Sequence, residues 1–143
     1  PEPGFMTDWQ AVFSVLLTQA VGVSTIIERV YPYRFQHITY LNKMGVKTTL
    51  FNPIVEHPET YYEFNLDTDK PEYFHGVKIY GPNKLKASTF DVNDLRAGAC
   101  ITLAALTAEG ESLINNVEYI ERGYEKLAER LCSLGASIKY IKT

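Results

Sequence analysis

The sequence predicts a mixed α/β fold of the α+β type, built from two copies of one unit with helices inside and sheets outside. Three observations lead there. Thr7-Asp8-Trp9-Gln10 opens an apolar run ending at Ala20-Val21-Gly22-Val23-Ser24, and Arg34 follows; Asn93-Asp94-Leu95-Arg96 opens a second, ending at Ala108-Glu109-Gly110-Glu111-Ser112, and Arg122 follows. Each half then closes on an apolar residue and glycine, Met44-Gly45 and Leu134-Gly135. The offset drifts only from 86 residues (Asp8 to Asp94) through 88 (Arg34 to Arg122) to 90 (Gly45 to Gly135), and a repeat of this kind defines the folding unit. The third observation is an inversion. In a layered α/β domain the sandwiched strands are uniformly apolar, whereas here the first helix of each copy is the most apolar element and the strands alternate with polar residues.

Residues 8–21 read as a helix, with Thr7 and Gln10 as a Thr-x-x-Gln capping box. Its apolar residues occupy nearly every side, so it is expected to be buried all round. Residues 23–30 are rich in β-branched side chains and read as a strand. Residues 34–44 form an amphipathic helix with Phe35, Ile38, Leu41 and Met44 at helical spacing and Gly45 as its stop; residues 46–51 are the next strand. Residues 52–75 break the repeat with three prolines (Pro53, Pro58, Pro71), many acids and several aromatics. So long a loop is uncommon in a compact domain, and a hairpin or Ω-like excursion around residues 61–65 is expected. Residues 76–80 and 87–92 read as strands joined across Gly81-Pro82-Asn83. The second copy follows as helix 94–108, again apolar all round, strand 111–117, helix 121–134 and strand 136–141. The two units are residues 1–84, carrying the insertion 52–75, and residues 85–143.

With 143 residues, 45% hydrophobic and 22% charged, the chain has the balance of a soluble globular protein and enough length for one core. A net charge of −3 argues against a non-specific nucleic-acid binder, which carries a basic face, but leaves room for a local anion site. No run is apolar and long enough to span a membrane. The opening Pro1-Glu2-Pro3-Gly4 is unlike a translation start, so the chain is expected to be a piece of a longer protein. Cys100 and Cys132 lack metal or Cys-x-x-Cys spacing. Cys100 is expected to be a buried, inert thiol, and two unpaired thiols suggest a reducing compartment, the cytoplasm. His37, His57 and His75 show no ligand spacing and are expected to be solvated or in loops. Asp67-x-Asp69 lacks the glycine and terminal glutamate of a calcium loop.

Four helices are thus expected to begin near Asp8, Arg34, Asp94 and Arg122. A helix start exposes unpaired N–H groups and partial positive charge, which makes it a ready anion site. Packing the inner helices together would let these starts converge. Arginine there offers a planar fork for carboxylate or phosphate, and Arg96, in the first turn with Asp94, adds a third guanidinium. Three arginines, two acids and several helix starts suit a small dianion beside a group that must lose a proton. From composition alone Asp8 and Asp94 also fit as first-turn acids that stabilise a helix macrodipole, by about 0.3–1 kcal/mol each. The same logic makes arginine unfavourable at a helix start, so Arg34, Arg96 and Arg122 need either an anion or salt bridges to those acids.

The stretches Pro3-Gly4-Phe5-Met6-Thr7-Asp8-Trp9-Gln10, Arg34-Phe35-Gln36-His37, Asp94-Leu95-Arg96-Ala97 and Ile120-Glu121-Arg122-Gly123-Tyr124-Glu125 resemble the UDP-N-acetylglucosamine 1-carboxyvinyltransferases. These enolpyruvyl transferases catalyse the first committed step of peptidoglycan synthesis. The resemblance runs in the family's order over nearly the whole chain except residues 52–75, and corresponds to the family's C-terminal portion. It implies an inside-out, enolpyruvyl transferase-like fold of βαβαββ units, with this chain supplying two of six. It also implies transfer of enolpyruvate from phosphoenolpyruvate to the 3′-hydroxyl of UDP-N-acetylglucosamine. On that resemblance Asp8 takes the hydroxyl proton, Val30 meets the UDP-sugar through its backbone, and Arg34 and Arg96 hold the phosphoenolpyruvate carboxylate. Arg122 holds the phosphate, and Asp94 is a second acid near the reacting centre. No metal or organic cofactor is implied. The partners are the two small-molecule substrates and the remainder of the chain's own polypeptide, not nucleic acid or a membrane.

The chain departs from the family at three places. Met6 replaces the proline usual before Thr-Asp, Tyr31-Pro32-Tyr33 stands where Glu-Asn is usual, and residues 52–75 are extra. The family's Lys-Asn motif and its loop cysteine or aspartate have no counterpart here, and Cys100 and Cys132 do not match that cysteine. Alternative readings are the sister transferase acting on shikimate 3-phosphate, a non-catalytic sugar-nucleotide-binding or scaffold paralogue, and a structural module whose arginines pair with acids.

Overall fold

The structure is a computed structural model describing residues 4–141; residues 1–3 and 142–143, at the outer ends of the two expected units, lie outside it. The first sheet contains β1 (Gly22–Ile27), β2 (Lys47–Phe51) and β3 (Gly76–Gly81) in the order β1-β3-β2, both pairs antiparallel. Gly22 faces Gly81 and Lys47 faces Tyr80, so β1 and β2 run the same way on either side of β3. Helix α2 (Gln36–Lys43) makes the crossover between them. Val77 and Ile79 of β3 are buried while Lys78 and Tyr80 are exposed, the alternation of a sheet with one face on the core. In the second sheet β4 (Thr89–Asp91) pairs in parallel with β5 (Leu113–Asn115).

Between the sheets lie α1 (Gln10–Gln19) and α4 (Leu95–Thr107). Helix α4 buries Ala97, Gly98, Ala99, Cys100, Ile101, Thr102 and Ala104 and packs on α1, α2 and the short α5 (Glu118–Glu121). Its small residues permit close approach: a Cβ on Gly98 would come within 2.5 Å of Ile120 Cγ1 and 2.9 Å of Val92 Cγ1. One hydrophobic cluster, with Val15, Ile38, Leu41, Val77, Ile79, Phe90 and Ile101 among its members, joins both halves. Helices are inside and sheets outside, as the sequence predicts.

The repeat also survives as backbone geometry. Helix α2 and α6 (Leu127–Ser133) end in the same motif. Gly45 (φ +94°) donates to Asn42 O and Val46 to Leu41 O; Gly135 (φ +97°) donates to Cys132 O and Ala136 to Leu131 O. This double bond pattern requires a left-handed residue, which glycine adopts without a Cβ penalty.

Several expectations change. The Thr7/Gln10 capping box does not form: the chain enters α1 through a 3₁₀ turn, Thr7–Trp9, and both side chains turn to Glu28. Nor is α1 buried all round. Its stripe Gln10, Ala11, Ser14, Val15 and Thr18 meets the core, whereas Phe13 and Leu16 (61% exposed) lie with Phe5 and Trp9 on an uncovered face. Strand β3 does not pair with β4. It inserts between β1 and β2, and the chain then passes under α2, with Lys86 N–H donating to Met44 O, into the other sheet. The helix expected at 121–134 starts only at Leu127, because α5 ends where it should begin. Gly123 sits where a Cβ would come within 2.6 Å of Leu95 Cδ2, and Lys126 adopts a left-handed conformation (φ 52°) before α6 begins. Residues 136–141 form no strand, because no described strand lies alongside to pair with them.

Residues 52–75 contain no hairpin; they hold α3 (Pro58–Tyr61) and a 3₁₀ turn, Leu66–Thr68. The tail of β1 anchors them. Glu63 N–H donates to Arg29 O (2.7 Å), Arg29 Nε donates to Tyr61 O (2.7 Å), and the Arg29 guanidinium lies 4.5 Å from the Tyr61 ring centre. His75 is buried rather than solvated, packed by Tyr62 and Phe64 with Nε2 3.0 Å from Asp69.

Candidate active site

Asp8 lies in the 3₁₀ turn ahead of α1, Arg34 two residues ahead of α2, and Arg96 in the first turn of α4. Packing α1 and α2 on α4 brings the three together. Arg96 donates to Asp8 Oδ1 from both Nε (2.9 Å) and a terminal nitrogen (2.7 Å), and an Arg34 terminal nitrogen stands 3.5 Å from the same oxygen. No hydrogen bond from a described residue reaches Asp8 Oδ2. Asp8 is open to solvent (56% exposed) while Arg34 is nearly enclosed (10%).

Arg34 and Arg96 border a cavity of about 280 Å³, which Asp94, Tyr31, Tyr33 and His37 also line; Asp8, paired with both arginines, is not itself part of the lining. Asp94 is the N-cap of α4, its Oδ2 accepting from Ala97 N–H at 2.8 Å, the arrangement that satisfies an orphan helix donor. The Arg34 guanidinium stacks over the Tyr31 ring at 4.1 Å, and its Nε is buried with no partner among the described residues. A buried guanidinium N–H without an acceptor is costly. Tyr31 and Tyr33 belong to the Tyr31-Pro32-Tyr33 stretch. Tyr33 is stacked on Tyr73 of the insertion, ring centres 4.6 Å apart, so the extra segment braces one wall.

Two candidates lie apart from this cavity. Val30 is half-buried beyond the end of β1, its N–H donating to Glu28 Oε1 (2.8 Å). Arg122 is the C-cap of α5, not a helix start; its guanidinium lies 5.4 Å from the Tyr119 ring centre. Neither lines the cavity. The turn that carries Arg122 nonetheless packs on Leu95, next to Arg96, through Gly123.

Three polar residues near the site escaped the sequence reading. Glu28 is 3% exposed and accepts from Thr7, Gln10, Val30 and Tyr31. His37, expected to be solvated or in a loop, is 1% exposed with Nε2 3.0 Å from Ser14 Oγ; burial lowers it to about 4, against a hydrogen bond to the Arg34 backbone and the charge of Asp94. Tyr124 is half-buried within electrostatic reach of the cluster: burial pushes its phenol up, Arg96 opposes, and Asp8 and Asp94 add to the rise. The available signal was weak, a charged residue at the end of an apolar stretch for Glu28 and an i, i+4 position relative to Leu41 on the apolar side of α2 for His37.

A constellation of one acid, two guanidiniums and an unsatisfied donor at converging helix starts can hold a small anion and accept a proton beside it. The chain is similar to known proteins over nearly all of its length. The chain is 42% identical over 137 residues to a UDP-N-acetylglucosamine 1-carboxyvinyltransferase of Chlamydia abortus, covering 95% of this chain and 30% of that protein. It is 40% identical over 136 residues to UDP-N-acetylglucosamine 1-carboxyvinyltransferase 2 of Listeria monocytogenes, covering 95% and 27%. The chain therefore spans under a third of the length of these relatives. Its fold matches the crystal structure of the enolpyruvyl transferase NikO from Streptomyces tendae with a TM-score of 0.74 at 27% identity, over 98% of this chain and 28% of that one. With residues 1–131 matching the family's own pattern, the chain belongs to the EPSP synthase (3-phosphoshikimate 1-carboxyvinyltransferase) family.

Proposed function

We propose that this chain forms one wall of the active site of an enzyme that transfers enolpyruvate from phosphoenolpyruvate to the 3′-hydroxyl of UDP-N-acetylglucosamine, releasing phosphate. The observation that carries the reading is the pairing of Asp8 with Arg34 and Arg96, the two arginines that line the cavity. Arg34 and Arg96 hold the carboxylate of phosphoenolpyruvate. Asp8, through Oδ2, takes the proton from the attacking hydroxyl as the C–O bond forms, while Asp94 holds the start of α4 beside the reacting centre. Val30, its N–H committed to Glu28, meets the UDP-sugar through its carbonyl. Arg122 binds the phosphate from the neighbouring turn, which brings it to the cavity only when the substrates and the rest of the cleft are present. The choice of the UDP-sugar over shikimate 3-phosphate rests on the relatives' names and on the Ile120-Glu121-Arg122-Gly123-Tyr124-Glu125 stretch.

On this reading residues 1–84 and 85–143 are two repeat units of one domain. The remainder of the polypeptide supplies the opposite wall, so the chain alone does not turn over. The product feeds peptidoglycan synthesis in the cytoplasm, and thereby cell-wall biogenesis, cell shape and division. The test is phosphate release from phosphoenolpyruvate and UDP-N-acetylglucosamine by the complete enzyme. Asp8→Asn should lower kcat by at least about a hundredfold while phosphoenolpyruvate affinity holds or rises, because a carboxylate that competes for the guanidiniums is gone. Wild-type turnover by that variant would end the assignment of Asp8 as base.

A further inference from the structure

We propose that Glu28 is a positioning residue of this site, locking the segment that carries Asp8 to the loop that carries Arg34. It rests on the reading above and adds a residue to it that does not line the cavity. Glu28 follows β1 directly, and its N–H donates to His75 O at 2.8 Å, so its backbone is held to the sheet. Its two carboxylate oxygens divide their work. Oε2 accepts from Thr7 Oγ1 (2.7 Å) and Gln10 Nε2 (3.0 Å), on the turn that contains Asp8 and the first residue of α1. Oε1 accepts from the N–H groups of Val30 (2.8 Å) and Tyr31 (3.2 Å), at the head of the loop in which Tyr31 stacks on Arg34.

All four partners are donors, which is what an acceptor-only carboxylate requires, and a buried carboxylate is tolerable only when so saturated. Glutamine has the same shape but presents an NH₂ in place of one oxygen. One of the two segments would then meet N–H against a donor and swing away. The acid and the guanidinium would part even though the core behind them stays packed.

Nuclear magnetic resonance of the isotopically labelled chain tests this through the arginine Nε–H signals, with thermal unfolding and a phosphoenolpyruvate titration alongside. The wild type should show a slowly exchanging Arg96 Nε–H, since that group donates to Asp8 at 2.9 Å. Glu28→Gln should lose that protection and weaken phosphoenolpyruvate binding by about tenfold or more. Thr7→Val cuts only the Asp8 side of the bridge, outside the core, and should also release the Arg96 signal; Thr7→Ser, which keeps the donor, should recover it. A folded Glu28→Gln or Thr7→Val chain with the wild-type Arg96 signal would overturn the proposal, and if Glu28→Gln unfolds, Thr7→Val decides. A wild-type chain that shows the protected Arg96 signal but no response to phosphoenolpyruvate would overturn Arg34 and Arg96 as carboxylate ligands and leave the role of Glu28 tested by the variants.

Discussion

Acidifying the protein should expose what it costs to hold His37 inside. The ring is 1% exposed, packed behind the cavity with Ser14 Oγ 3.0 Å from Nε2. Burial lowers its titration from 6.5 to about 4, with the Arg34 backbone and the Asp94 charge pulling the other way. Above pH 6.5 the ring is neutral in both folded and unfolded chains, and its contribution to stability is fully present. Between pH 6.5 and about 4 the unfolded chain binds a proton that the folded chain refuses, so stability falls with pH; below about 4 both are protonated and the loss levels off. A displacement of about 2.5 pH units corresponds to about 3 kcal/mol, a large share of the roughly 5–15 kcal/mol that holds a domain folded. Urea unfolding of the wild type and His37→Gln at steps from pH 7.5 to 4 reads the effect. Carboxylates titrate over the same range, so the difference between the two curves is the informative quantity. The wild type should be the more stable at pH 7.5, and its advantage should shrink by about 3 kcal/mol on reaching pH 4. An advantage that stays constant across that range would refute the buried, neutral ring.

Two further outcomes follow from the packing around α4. Cys100 is fully buried and its thiol is pushed up by that burial, while Cys132 is exposed. A disulfide thiol reagent should therefore titrate one thiol promptly in the native chain and the second at least about a hundredfold more slowly; two equally fast thiols would contradict the buried α4. Gly98→Ala should lower stability by about 1–3 kcal/mol, because Ile120 and Val92 occupy the space its methyl needs. A gain of about 1 kcal/mol, the helix-propensity advantage of alanine, would show instead that α5 is free to move away.

Asp8, Arg34, Asp94 and Arg96 could be read from the sequence because their placement is local. Each stands at or just before a helix start marked by an apolar run, and the repeat says that equivalent starts lie at equivalent places. Gly45 and Gly135 were legible for the same reason, since a left-handed helix end announces itself in one residue. What stayed hidden depends on tertiary contact. Nothing in the neighbourhood of Glu28 or His37 says that donors from distant segments will saturate a carboxylate, or that an imidazole will be sealed against α1. The break between α5 and α6 is hidden too, for Gly123 is intolerant of a side chain only because Leu95 comes to rest on it. The uncovered apolar face of α1 has the same origin: the composition of a helix reports how much of it can be buried, not how much finds a partner. Arg122 shows the limit on the functional side, since the periodicity that placed it at a helix start could not show that the helix ends there.

The account stands on Asp8, Arg34 and Arg96 forming a single anion-accepting mouth. Calorimetric titration of phosphoenolpyruvate into the wild-type chain and into Arg34→Gln/Arg96→Gln tests it most directly. Each charge-assisted contact is worth about 1.5–3 kcal/mol, so removing both should weaken binding at least about a hundredfold while the fold, held by the α1–α4 core, persists. Equal affinity in the two proteins would contradict the account.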